Sequence, residues 1–423
     1  MKSIVISITL GTLAAVLVFG QTPRYTVTDL GVVGGPPGQP FNITPNGLIS
    51  GGAVGSDGTM HAVLWFKGWR GDFGPALLGG KNSIDFGINE VGQAVGGAET
   101  TTQDPNGEDF CGFKQSGYPT GGTTCSPFLW QFGLTTPLPT LGGGSGVGNS
   151  INSKGQVVGT AETATPDPAC PPPQKLQFKP VMWQNGKVQQ LPTVSGDPEG
   201  VAFIINENGQ AVGASGACAT FSPQTLVSLQ PLHALLWQNG TATDLGNLGG
   251  TGHALGNLAL NLNNKGQVVG NSDLPGDMVA HAFLWTKETG MQDLGTLPGD
   301  IISAGLSISD AGVIGGVSLD ADFNPRAFIR QNGVMTDLNS LVTGDSSLFL
   351  MVACSINPDG QIVGFAIDSN NEFHGYVATP ANILTADQPP PTQSITPQRR
   401  ILSAEARNKF RQLRIGIRLP SQQ

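Results

Sequence analysis

The side chains with the clearest capacity for chemistry in this chain are oxygen donors at alternate positions. Asp320, Asp322 and Asn324 have this spacing, and Asp368, Asn370 and Glu372 repeat it further along. Alternate oxygens can wrap a calcium ion. Both segments lack the glycine turn and distal bidentate glutamate of an EF-hand, and Asp and Asn also form ordinary turns. Calcium is therefore the candidate ligand of Asp320, Asp322 and Asn324, with a plain turn as the other reading. No other cofactor is indicated. The chain has no Gly-x-Ser-x-Gly, phosphate-binding loop, paired-cysteine zinc spacing or His-Glu-x-x-His, so no catalytic residue can be assigned from a motif.

Four of the five histidines, His61, His233, His281 and His374, share one position of a repeat that Ser126, Lys179 and Arg326 fill elsewhere. Symmetry mates around a ring cannot converge on one metal. Their expected role is structural, such as a hydrogen bond to a neighbouring repeat. His253 stands outside the pattern.

The first residues, Met1-Lys2-Ser3 and an apolar run from Ile4 to Phe19, read as a secretory signal peptide over 1–20 with cleavage near Gly20. The run is shorter than the ~20 apolar residues of a membrane span. Secretion places the chain outside the cytoplasm, extracellular or periplasmic, where cysteines oxidise. Five cysteines leave one over. Cys111 and Cys125 fall in one insertion, and Cys170 and Cys218 in two neighbouring ones, so those are the expected bridges. Four cysteines allow three pairings, which makes the second bridge the weaker inference. Cys354, directly before Ser355-Ile356-Asn357, is expected to be a buried free thiol.

The elements that must position these residues follow from composition and repetition. Of 423 residues, 61 are Gly and 31 Pro, while 39% are hydrophobic and 12% charged. That excludes long helices as the main architecture and is too apolar for disorder. A net charge of -9 argues against nucleic acid as a partner.

A phrase Asn-x-x-Gly-Gln-Val-Val-Gly is clearest at Asn152 to Gly159 and Asn263 to Gly270, and its first glycine recurs at Gly47, Gly92, Gly155, Gly209, Gly266, Gly312 and Gly360. A second phrase follows each copy, as in His61-Ala62-Val63-Leu64-Trp65 and His281-Ala282-Phe283-Leu284-Trp285. A third, Thr-Asp-Leu-Gly, is clear at 28–31 and 243–246. Asn185-Gly186, Asn239-Gly240 and Asn332-Gly333 separate second from third phrases, the signature of a type I′ hairpin. The consecutive apolar positions of the second phrase predict strands covered on both faces.

Seven such units predict an all-β, seven-bladed β-propeller spanning 21–380. The body opens on an unpaired third phrase, Tyr25 to Gly31, and closes on an unpaired second phrase, His374 to Val377. Their pairing would complete the seventh blade, so the N-terminal strand is expected to close the ring. A Pro-rich linker over 381–398 and a basic tail over 399–423 follow. The segment after 380 carries seven basic residues against two acidic, whereas the body from 21 to 380 carries 13 basic and 28 acidic, a charge of -15. Leu402, Ala406, Phe410, Leu413 and Ile417 lie at helical spacing behind Ser403, predicting a capped amphipathic helix.

The three ordered phrases resemble the HAF family of extracellular repeat proteins, named for the His-Ala-Phe found here at His281-Ala282-Phe283. The resemblance covers about 24–380. It implies secretion and a repeat architecture, and it assigns no catalytic residue.

From the anchoring glycine to the fifth residue of the second phrase there are 18, 38, 28, 28, 19, 18 and 18 residues. Blades two, three and four therefore carry extra loops, at about 99–125, 161–178 and 215–231, on one stretch of one rim. Loops positioned by a rigid scaffold commonly carry binding. The expectation is a secreted, monomeric, non-catalytic module that recognises a glycan, protein or cell-surface component through these loops, its tail contacting an anionic surface or the acidic body. The other reading is a hydrolase or lyase of extracellular polysaccharide, with carboxylates meeting at the channel.

Overall fold

The Asn-Gly pairs turn as their sequence requires. Asn185 and Gly186 have φ of 53° and 72°, and Asn239 and Gly240 have 51° and 77°, the two positive values that a type I′ hairpin needs. Each joins a second-phrase strand to a third-phrase strand. The computed structural model describes residues 23–33, 39–73, 77–218, 232–253, 256–344, 346–381 and 399–411. The expected signal peptide, nearly all of the Pro-rich linker and the tail beyond 411, including Leu413 and Ile417, lie outside them.

The strands form seven four-stranded antiparallel sheets, the blades of a β-propeller. Six consist of four consecutive strands, over 40–72, 79–137, 142–190, 199–244, 258–293 and 302–337. The seventh combines Phe349–Ile356, Ile362–Ile367 and Phe373–Pro380 with the N-terminal strand Tyr25–Val32 as its outer member. Tyr25 pairs with Pro380 and Val32 with His374, so first and last phrases close the ring as expected.

The phrase asparagine links blades. Its Nδ2 donates to the carbonyl of the corresponding residue in the next blade, from Asn89 to Asn152, Asn152 to Asn206, Asn206 to Asn263 and Asn263 to Ser309, at 3.0–3.1 Å. Asn357 makes the same bond to Thr44 at 3.2 Å, across the closure. Trp183 and Trp237 are 1% exposed and donate Nε1 to Pro139 O and Pro192 O, on the connections that lead into their own blades. Trp69, outside the phrase, is exposed.

The inner strand of every blade slips register by one residue at the same place. The extra residues are Phe41, Phe86, Asn149, Phe203, Leu260, Leu306 and Cys354. These β-bulges explain the last glycine of the phrase. A Cβ on Gly96 would lie 1.8 Å from Ile84 O, and on Gly270 1.8 Å from Leu258 O, so the bulged strand presses directly on a bare Cα.

Candidate functional site

Antiparallel succession puts the connections between second and third strands, and those between blades, on one face of the ring. That face carries the insertions, the oxygen-rich loops and the C-terminal helix. The seven bulged residues sit at symmetric positions of the innermost strands, all half-buried. Three Phe, two Leu, one Asn and one Cys make this ring apolar and free of carboxylates. Cys354 is the free thiol expected, but it is half-buried instead of buried because the bulge turns it out of the sheet.

Two covers lie over the ring. Phe110 and Phe113 of the blade-two insertion are buried in one apolar cluster with Phe41, Phe86 and Phe203. Leu402, just before the helix Ala404–Arg411, and Ala406 and Phe410 within it are buried in another with Leu306 and Cys354. Leu260 packs against both. The helix begins as expected, with Ser403 Oγ accepting from Ala406 N at 3.1 Å. Its apolar face is docked on the propeller.

The insertions of blades two to four form a stapled arc. Cys111 bonds to Cys125 and Cys170 to Cys218, the expected pairing. Two disulfides accord with maturation in an oxidising compartment. Between them lies a polar clamp. Glu108 Oε1 accepts from Lys175 N at 2.6 Å, Leu176 N at 2.7 Å and Gln174 Nε2 at 3.1 Å, and Glu162 Oε1 takes the same Gln174 nitrogen at 3.0 Å. The insertion of blade two thereby grips that of blade three. Burial, reinforced by neighbouring Glu108, holds the Glu162 carboxyl above its usual range. Glu199 lies against the Cys170–Cys218 bridge and accepts from Phe178 N at 2.5 Å; burial pushes its carboxyl up to about 9. These acids face protein amides and are buried. Most of the blade-four insertion, 219–231, lies outside the described residues.

The described part of the arc exposes Lys114 and Lys175, but the ends of its long strands are uncharged. The hairpin strands Ala94–Gln103 and Val157–Pro166 run ten residues, and their exposed tips present Thr101, Thr102, Gln103 and Thr165.

The oxygen-rich loops are held mainly by their own amides and by the tail. Asp320 Oδ1 accepts from Asp322 N, Asn324 N and Asn324 Nδ2 at 2.9–3.2 Å. Asp320 Oδ2 faces Arg399 Nη1 at 3.0 Å, and Asn324 Oδ1 accepts from Leu402 N at 2.9 Å. Arg399 also pairs with Asp300, and Arg400 donates to Asp368 O. Two of the three candidate calcium ligands thus anchor the start of the tail, and Arg399 brings a positive charge to Asp320.

Three of the four repeat histidines bond within their own blade. His61 Nδ1 meets Asp72 at 2.9 Å, His281 meets Asp293 at 2.9 Å and His374 meets Asp29 at 3.0 Å. The partner in each case is the aspartate of the third phrase, so these residues brace the outer hairpin instead of joining neighbouring blades. His233 differs: it takes Asp197, on the connection leading into its blade, at 2.8 Å. That hydrogen bond raises its pKa. Arg326 replaces the histidine in blade six and reaches both kinds of partner, Asp337 at 3.3 Å and Asp300 at 2.8 Å.

Neither a family model nor a curated protein sequence matches the chain. Among solved structures, the chain is similar to Trypanosoma rangeli sialidase at 10% identity and a TM-score of 0.36, covering 84% of this chain and 55% of that one. It is similar to a mutant of AofleA from Arthrobotrys oligospora at 9% identity and 0.34, covering 84% and 83%. TolB from Acinetobacter baumannii matches at 9% identity and 0.36, covering 78% and 63%. The chain thus spans about half the length of the sialidase.

Proposed function

We propose that this protein is a secreted, non-catalytic binding module of the HAF-repeat kind, acting in the extracellular or periplasmic space. The arc of blades two to four recognises a neutral polymer of the cell surface or matrix, with polysaccharide as the first candidate. The observation that carries this reading is the double fastening of that arc, by two disulfides and the Glu108–Gln174–Glu162 clamp. Cross-links at a decorated rim reduce the ordering cost of binding. The uncharged tips at Thr101, Thr102, Gln103 and Thr165 suit hydroxyl-rich or polypeptide ligands better than ionic ones. The carboxylate-free bulge ring favours binding over hydrolysis, because glycoside cleavage typically needs two carboxylates flanking one bond. A screen against immobilised polysaccharides and extracellular proteins, run with and without chelator and paired with a reducing-sugar assay, tests the reading. Saturable binding without sugar release supports it, and turnover of a polysaccharide that the protein does not retain contradicts it.

A further inference from the structure

Blades one and seven carry loops of equal length before their histidines, so each is the other's internal control. In blade one, His61 gives its Nδ1 side to Asp72, and its Nε2 lies 3.0 Å from the Thr59 hydroxyl and 3.3 Å from Asp57 Oδ1. Both ring nitrogens of His61 thus have partners, and the Thr59 hydroxyl also donates to Asp57 Oδ1 at 2.8 Å. In blade seven, Asp29 takes the Nδ1 side of His374 at 3.0 Å to both oxygens. The residue two before the histidine is now Glu372 in place of Thr59, and the residue six before it is Asp368 in place of Gly55.

These exchanges, together with Asn370 in place of Asp57, change the environment of Nε2. A Cβ on Gly55 would lie 2.7 Å from His61 Nε2, so a side chain at that position is directed toward the ring. In blade seven that side chain is a carboxylate. His374 Nε2 is enclosed and has no hydrogen-bond partner. Asp368 Oδ2 stands 4.0 Å away, too far for a hydrogen bond but within the span of two ~2.0–2.1 Å metal bonds. One donor atom from each of Asp368, Glu372 and His374 lies within 4.8 Å of the others. Arg400 does not neutralise the pair: its guanidinium contacts the Asp368 carbonyl and Asn371 Oδ1.

We propose that Asp368, Glu372 and His374 form a binding site for one divalent transition-metal ion, with zinc as the reference, and that Asp29 orients the histidine ligand. One imidazole nitrogen and two carboxylates form a borderline donor set that suits zinc better than calcium. A carboxylate behind the ligating imidazole is the usual support of such sites. Asp29 comes from the N-terminal strand and the three ligands from the C-terminal part of the same blade, so the ion would also fasten the ring closure.

Isothermal titration of the chelator-stripped full chain with zinc chloride tests this, together with thermal unfolding. The expected result is one site per chain, with the unfolding temperature rising as zinc is added. Glu372→Gln leaves the Asp29–His374 pair in place, and with Asp368→Asn it should weaken zinc at least ~10-fold; Asp29→Asn should weaken it ~10–100-fold. His281→Gln should leave uptake unchanged. No zinc uptake, or uptake that survives both Glu372→Gln and Asp368→Asn, overturns the site. Calcium bound in preference to zinc, and unaffected by His374→Gln, overturns it as well.

Discussion

Arg399 sets its Nη1 3.0 Å from Asp320 Oδ2, joining the start of the C-terminal segment to the loop of blade six. Asp320 is buried, as is Asp300, the second carboxylate that Arg399 contacts. Removing the guanidinium leaves Asp300 to Arg326 and Asp320 to its loop amides, and loosens the helix packed near Leu260, Leu306 and Cys354. Arg399→Ala should cost about 1–3 kcal/mol, read as a lower unfolding temperature, with faster proteolysis between 381 and 411. An unchanged transition would show that the helix docks through Leu402, Ala406 and Phe410 alone.

Ring closure rests on one strand. Without 25–32, the strand Phe373–Pro380 loses its outer partner and the first and seventh blades lose their covalent link. Deleting these residues should abolish the cooperative unfolding transition, followed by circular dichroism. A truncated chain that retains the full transition would mean that the remaining interblade contacts suffice.

Stability should fall with rising pH above the ordinary carboxylate range. Burial raises the native-state pKa of Glu199 to about 9, and those of Glu162 and Asp85 also rise. The native state therefore holds protons that the unfolded chain releases near pH 4.5. Their stabilising contribution is complete below that pH and is lost as pH climbs through the native values, toward pH 9 for Glu199. Thermal midpoints measured from pH 5 to 9 should decline, and Glu199→Gln should flatten the decline.

Asp85 offers a stabilising exchange. Its carboxylate is fully buried beside the Gly87 and Val95 amides without a well-formed hydrogen bond. Five other blades place Gly148, Ala202, Ala259, Gly305 or Ala353 at this position, opposite the phrase glycine. Asp85→Ala should gain about 1–3 kcal/mol by removing an unsatisfied buried acid. Gly270→Ala, on the partner strand of blade five, should cost about 3 kcal/mol, because its Cβ meets the Leu258 carbonyl. Chemical denaturation of both variants checks the pair of signs.

The scaffold was legible because its signals are local and repeated. Asn239-Gly240 forms the turn that its residue types demand, and the orphan phrases at Tyr25 and His374 could only pair with each other. Cys111–Cys125 was legible for the same reason, since one insertion holds both residues. The bulges were not legible: Gly96 is visible as a repeated glycine, but its cause is a carbonyl on another strand. The clamp was hidden as well, because Glu108 and Glu162 meet through Gln174 across two blades. The histidines misled in one respect, since His61 and Asp72 lie in different phrases and nothing in either shows that they face each other. Leu402, Ala406 and Phe410 showed a helical face but not where it would dock.

The fastened arc of blades two to four is proposed to bind a neutral surface polymer. The most direct measurement is the affinity of the full chain for its best polysaccharide ligand, compared with Thr101→Arg combined with Thr165→Arg. Both residues are exposed at hairpin tips, so the propeller should keep its unfolding temperature. The double variant should lose at least ~10-fold in affinity, equivalent to about 1.4 kcal/mol. Undiminished binding by the double variant would contradict it.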